Sequence, residues 1–309
     1  MPMRLNGLFH RLPLAAIICL GMALPAMAQT KVKVAYLLGS HFDLLFVAKD
    51  KGMFEKNGLD VALTNMNKPS DHPAALISGS MDIGYASPLA ILQANQNGLD
   101  LVALGAVARE TPDHPDVGVV ARKGSGITSP QDLAGKKVAV SGINSNMHLM
   151  LIYWLKQKGV DTSKMQFVEV PMANGADALR GGSIDAMAII EPFLTKATAG
   201  GAGELLANYI AQVEPGALMG VWTTTRQWAE KNRDTVKKFN ASMVEALKYV
   251  EQHPEVIAEV EKKYNGFVSS SAPSFILDFK PVDFNIWITV GKAGGALKNP
   301  PNPDTLAFQ

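Results

Sequence analysis

The sequence predicts an α/β protein of two lobes, each a mainly parallel sheet flanked by helices. Three observations carry that prediction. Strand-like and helix-like patterns alternate from residue 31 onward, and the order restarts near residue 129. Two stretches also read nearly alike, ALISGSMDIGYASP over 75–88 and ALRGGSIDAMAIIEP over 178–192. Such alternation implies parallel strands covered by helices on both faces, and the restart implies a duplicated unit.

The first strand, KVKVAYLL over 31–38, is rich in β-branched residues and stops at Gly39-Ser40. Over 42–56, Leu44, Leu45, Val47, Ala48 and Phe54 recur at helical spacing, and Asn57-Gly58 supplies the stop. Strands at 59–66, 82–86 and 101–108 and helices at 72–78 and 88–97 complete the first unit. The second opens on Ser129-Pro130-Gln131-Asp132, a capped turn. It continues as strand 136–140, helix 146–158, strand 165–170, helix 176–180 and strand 184–190. Lys33-Val34-Ala35 aligns with Lys137-Val138-Ala139, and Gly79-Ser80 and Asp82 align with Gly182-Ser183 and Asp185. A glycine after a short helix is common to any such unit, so the ordered set, rather than one phrase, predicts duplication.

Turn-forming clusters at 111–115 and 214–216 predict two crossings between lobes. They place residues 29–114 and 219–309 in the first lobe and 115–218 in the second. Val236, Phe239, Met243, Leu247 and Val250 predict a helix over 233–253. Another is expected from Pro254 to Tyr264, and a helix over 284–290 is expected to pack on the first lobe.

At 47% hydrophobic and 18% charged over 309 residues, the chain has the composition of a globular protein. Residues 1–28 read as a secretory signal peptide. Arg4 and Arg11 precede or open an apolar run over 12–24, and Ala26 and Ala28 mark a cleavage site. That run is shorter than the roughly 20 residues a bilayer needs. Removing this segment takes the formal charge from +1 to −1, because it carries two arginines and no acid. No basic excess points to nucleic acid or anionic membrane. Cys19, the single cysteine, falls in the same apolar segment, so the exported chain is expected to be held by burial alone.

In open parallel sheets, ligands bind beyond the carboxyl ends of the strands. Four loops take that position, at 39–43, 86–88, 141–146 and 191–192, and the predicted site is the cleft where they meet. Ser87-Pro88 opens a helix, and Ser145-Asn146 opens another; their amides favour an anion, though plain capping explains the serines too. His41 can donate to an oxyanion or merely cap, and Phe42 can wall the pocket or join the core. Glu191 stands where its twin is Ser87 and can take an amino group or simply solvate a loop. Arg109 can grip a carboxylate or sulfonate or lie on the surface, and Trp222 can cover a ligand or pack. Nucleophile-elbow, Walker and H-E-x-x-H motifs are absent, and the histidines lack ligand spacing. No enzyme activity, metal or cofactor is expected.

KVKVAYLLGSHFDLLFVAKDKGMFEKNGLDV, SGSMDIGYASP, DLAGKKVAVSGINSNMH and GGSIDAMAIIEPF together resemble periplasmic substrate-binding proteins of the taurine, nitrate and sulfonate type, related to the thiamine-pyrimidine group. The resemblance covers roughly residues 31–260. It implies a two-lobed periplasmic binding protein type II fold, a periplasmic location, and a monomer that hands a small solute to an inner-membrane ABC permease with its ATPase. It implies ligand contacts at Ser40, His41, Phe42, Ser87, Ser145, Asn146 and Glu191. Fungal pyrimidine synthases resemble one another in a cysteine-rich motif that this chain lacks.

Overall fold

The computed structural model describes residues 1, 29–66, 68–271 and 273–308. The expected signal peptide, apart from Met1, lies outside the described residues. The chain begins with β1 (Thr30–Tyr36), a 3-10 turn (Ser40–Phe42), α1 (Asp43–Asp50), α2 (Met53–Lys56), β2 (Leu59–Asn65) and α3 (Asp71–Ile77). It continues as β3 (Gly84–Ala86), α4 (Pro88–Gln96), β4 (Leu101–Glu110), β5 (Val117–Arg122), β6 (Lys137–Val140) and α5 (Asn146–Gln157). Then come β7 (Gln166–Glu169), α6 (Gly175–Arg180), β8 (Ala186–Ile190), α7 (Phe193–Ala199), β9 (Gly203–Ala207), α8 (Tyr209–Val213) and β10 (Ala217–Thr225). Helices α9 (Arg226–Lys231), α10 (Arg233–Gln252), α11 (Val256–Val260) and α12 (Asn285–Ala293) close the order.

Two sheets of the same plan result. In the first, β1 pairs in parallel with β2, a parallel bridge from Val34 to Ile83 leads to β3, and β10 lies antiparallel between β3 and β4. The second runs β7-β6-β8-β5-β9, with β5 antiparallel to both neighbours. Position by position, β2-β1-β3-β10-β4 matches β7-β6-β8-β5-β9. In each sheet the odd-direction strand is the one that has just crossed from the other sheet. The repeat seen in sequence is thus a repeat of topology, and its paired glycines do the same job: Gly79 and Gly182 take φ of 70° and 69° after their short helices, a conformation costly to any side chain with a Cβ.

Several expectations need correction. The helix expected over 42–56 is broken in two, because Gly52 adopts φ 69° and ends α1. Strands β5, β9 and β10 and helices α7, α8 and α9 were not foreseen. The helix expected from Pro254 to Tyr264 is present, as α11 running on into a wider π-helical turn at Glu261–Asn265. Helix α12 does not pack on the first lobe alone. A Cβ at Gly291 would stand 2.8 Å from Leu89 of α4, and one at Gly294 would stand 2.9 Å from Leu149 of α5, so α12 wedges between helices of both sheets. The buried apolar cluster around it runs from Leu89 and Leu92 through Trp287 and Val290 to Met150 and Trp154. A second cluster, with Phe46, Phe54, Trp222 and Phe239, fills the first lobe, and a third lies under α6 and α7. No described helix is long and apolar enough to cross a membrane.

Candidate ligand-binding site

The carboxyl edges of the two sheets border one cleft of about 490 Å³. Helices α4 and α5 open onto it from opposite lobes. Ser87 accepts the Ala90 amide at 3.2 Å and leaves its own hydroxyl proton free; Ser145 accepts the His148 amide at 3.3 Å. Each helix turns the positive end of its dipole to the cleft, and α5 adds the amides of the lining residues Asn146 and Met147, unpaired among the described residues, whereas in α4 Pro88 has no N–H and the Ala90 amide goes to Ser87. Asn146, in the first turn of α5, lines the cleft and is only 8% exposed. No hydrogen bond to its side-chain amide occurs among the described residues. That amide keeps access to the cleft, so a solute here is offered a ready donor and acceptor.

The loop before α5 is held in shape from behind. Asn144 takes φ 61° and donates its amide to His148 Nδ1 at 2.9 Å. Burial pushes the His148 imidazole down to about 4, so it stays neutral with Nδ1 as acceptor. Glu169, at the end of β7, accepts the Ile143 amide at 2.8 Å. On the other lobe, Tyr85 donates its hydroxyl to Met219 O at 3.0 Å and its amide to His72 Nδ1 at 3.1 Å. His72 faces Met66 O through Nε2, so it braces the first-lobe wall much as His148 braces the second. The rest of the lining is largely apolar, including Leu37, Leu38, Phe42, Ile143, Met147, Met172, Ile190 and Met219.

Of the residues singled out in the sequence, His41, Phe42, Ser87, Ser145 and Asn146 line this cleft. Ser40, Glu191, Arg109 and Trp222 do not, and each has a partner or packing site that explains why. Ser40 is fully buried and donates to Asp116 Oδ2 at 3.1 Å. The Glu191 carboxylate turns away into α7, accepting the Thr195 amide at 3.0 Å and hydroxyl at 2.7 Å and the Ser270 hydroxyl at 3.3 Å. Burial raises its pKa in spite of those donors. Trp222 is 1% exposed and packs edge-on behind Phe42, so it backs the wall rather than covering a ligand.

Arg109 ties down the tail: it reaches Asp283 Oδ2 at 2.6 Å, Gly216 O at 3.0 Å and Asp278 O at 3.2 Å. R109A is therefore expected to lower stability by roughly 1–3 kcal/mol, as loss of a charged hydrogen-bond donor does, with solute affinity unchanged. Chemical denaturation and calorimetric titration of the same variant check both halves.

The sequence reading missed Lys68, Gln93 and Glu169, all cleft-lining. Lys68 and Glu169 follow or end β2 and β7, the matching strands of the two sheets, so the rule that selected four loops applied to these two as well. Among the described lining residues they are the one lysine and the one carboxylate. No group of described residues could hold a metal ion.

Beneath the cleft floor lies a buried carboxyl pair. Glu110 accepts the Asp116 and Val117 amides, both at 3.3 Å. Burial, and then the adjoining Asp116, hold the Glu110 carboxyl far above the usual range, so it is protonated and donates to Asp116. Burial alone would raise Asp116 too, but His41 opposite it and the Glu110 and Ser40 donors outweigh that and keep it below its ordinary value. A carboxyl raised in the folded state takes up a proton on folding. Its contribution is complete below the unfolded pKa and is lost as pH rises through the folded one. Stability relative to E110Q, which has no proton to titrate, is predicted to fall over roughly pH 5 to 9 by up to about 1.4 kcal/mol per unit. Urea unfolding of both proteins across that range measures it.

Two α/β sheets joined by two crossings around a cleft define the periplasmic binding protein fold. The alkanesulfonate-binding protein SsuA from Xanthomonas axonopodis pv. citri, bound to MOPS, superposes with a TM-score of 0.77 at 19% identity, covering 92% of this chain and 99% of that one. The chain belongs to the NMT1/THI5 like family, which matches residues 40–257. A protein of Brucella abortus described as a binding protein is 27% identical over 224 residues, 71% of this chain and 66% of its own. The 4-amino-5-hydroxymethyl-2-methylpyrimidine phosphate synthase of Schizosaccharomyces pombe is 31% identical over 98 residues, 32% of this chain. That match spans only 27% of the synthase.

Proposed function

We propose that this protein is the solute-binding component of an ABC importer, working in the periplasm and capturing a small organic anion or zwitterion by closure of its two lobes. The observation that carries the reading is the convergence of the α4 and α5 N-termini, from opposite lobes, on one cleft that also holds the unpartnered Asn146 amide. An anion there meets two dipole ends at once only when the lobes are closed, and that differential affinity shifts the population toward closure. The export signal read in residues 1–28 supports the location. The proposed contacts are His41, Phe42, Ser87, Ser145 and Asn146, and the partners are a permease and its ATPase that read the closed shape. Lys68 and Glu169 add one charge of each sign at the lining.

A second reading, a thiamine-precursor pyrimidine as solute, is favoured by the stretch shared with the fungal synthase. A thermal-shift screen with sulfonates, aromatic carboxylates, amino acids and pyrimidines separates the two. A true solute raises apparent stability by about 2.7 kcal/mol at a hundredfold excess over its Kd. Stabilisation by anions or zwitterions supports the first reading, and stabilisation by uncharged pyrimidines alone the second. Stabilisation by sugars or uncharged peptides alone would overturn both.

A further inference from the structure

The two crossings are knotted together by fully buried acids. Glu110 closes the first crossing from inside through the Asp116 and Val117 amides. Its carbonyl accepts the Gly216 amide of the second crossing at 2.8 Å. Asp116 faces the other way. Its Oδ2 takes the Ser40 hydroxyl at 3.1 Å and lies 2.9 Å from His41 Nε2. The backbone repeats the link, because Asp116 O accepts the Glu191 amide at 2.9 Å and Glu191 O accepts the Ser40 amide at 3.0 Å. His41 lines the cleft, while Glu110 and Asp116 are wholly buried. A continuous chain of contacts therefore runs from the cleft surface through His41, Asp116 and Glu110 to Gly216.

We propose that Asp116 is the residue through which the cleft wall at His41 and the two interlobe crossings move as one unit, so that solute contact at His41 biases the bend. The proposal rests on the reading of a cleft that closes. Its physical basis is that Asp116 has no water to fall back on: the loop at 39–42 cannot shift against the first crossing without stranding a buried carboxylate. The chain of contacts must hold or exchange as a whole, which makes it a two-state element. Asp43, Glu191 and Glu261 stand within electrostatic reach of the same carboxylate. Asp43 is itself fully buried, and neither of its carboxyl oxygens has a hydrogen-bond partner. Asp43, Glu191 and Glu261 therefore oppose the Asp116 charge, which is held by His41, Ser40 and the protonated Glu110.

The test needs no solute. The full chain with Cys19→Ser carries Asp71→Cys and Asn174→Cys, exposed positions beside the lining residues Ser70 and Met172 on opposite lips. Spin labels there report the interlobe distance distribution. D116N is expected to change the open-to-closed ratio by about tenfold, equivalent to about 1.4 kcal/mol, with a melting temperature below the parent's, because His41, Ser40 and Glu110 favour the Asp116 carboxylate in the folded state. H41Q is expected to do the same, and H41Q/D116N no more than either alone. E110Q, which leaves the contact between Asp116 and His41 in place, is expected to match the parent's distance distribution. A parent-like distribution in D116N, additive effects in the double variant, or an equal shift in E110Q would overturn the proposal. A solute screen that found nothing would sink the transport reading and leave this distance result standing as a property of the hinge.

Discussion

Replacing Glu110 with leucine is expected to destabilise the folded protein by about 3–5 kcal/mol, the cost of breaking a buried polar pair from one side. Leucine fills the volume but leaves the Asp116 and Val117 amides without an acceptor and takes the donor from the Asp116 carboxylate. Glutamine keeps an N–H for the carboxylate but only one oxygen for two amides that bond to different Glu110 oxygens, so E110Q is expected to lose about 1–2 kcal/mol at neutral pH, less than leucine. Guanidinium unfolding of the two variants side by side separates the hydrogen-bonding role from mere space-filling. Equal losses in both would show that volume, rather than the bonds, is what Glu110 supplies.

The second large effect falls on binding. N146A is expected to weaken the solute found in the screen by about 1.5–3 kcal/mol, roughly ten- to a hundredfold, as loss of a hydrogen bond to a charged group does. The folded protein has nothing to lose in exchange, since the Asn146 side chain bonds to no described residue. Stability is predicted to stay within about 0.5 kcal/mol, the usual span for changes away from core packing and networks. Calorimetric titration reads the first quantity and thermal unfolding the second.

How much of this was legible in the sequence follows from the reach of each interaction. Caps are local: Ser87 and Ser145 sit three residues from the amides they accept, so a short window predicts them and places two helix starts at the cleft. Gly79 and Gly182 are equally local, and they betrayed the duplication. Strands β5 and β10 escaped because they are apolar runs without alternation, buried on both faces, and their direction is set by neighbours far along the chain. The residues that lie away from the cleft lining are placed by partners of the same long reach. Arg109 meets Asp283 across 174 positions, and Glu191 meets Ser270 across 79. Nothing near Arg109 announces that its charge is already spoken for, whereas Glu191 also meets Thr195 only four positions on. Lys68 and Glu169 could have been found, because the repeat that paired Ser87 with Glu191 also pairs the ends of β2 and β7.

The claim on which the account turns is that the lobes approach each other around a solute. Small-angle X-ray scattering of the protein with and without the strongest solute from the screen tests it most directly. The account predicts a smaller radius of gyration and a scattering curve shifted toward a more compact body at saturation. An unchanged curve at a concentration where calorimetry shows the site filled would contradict it.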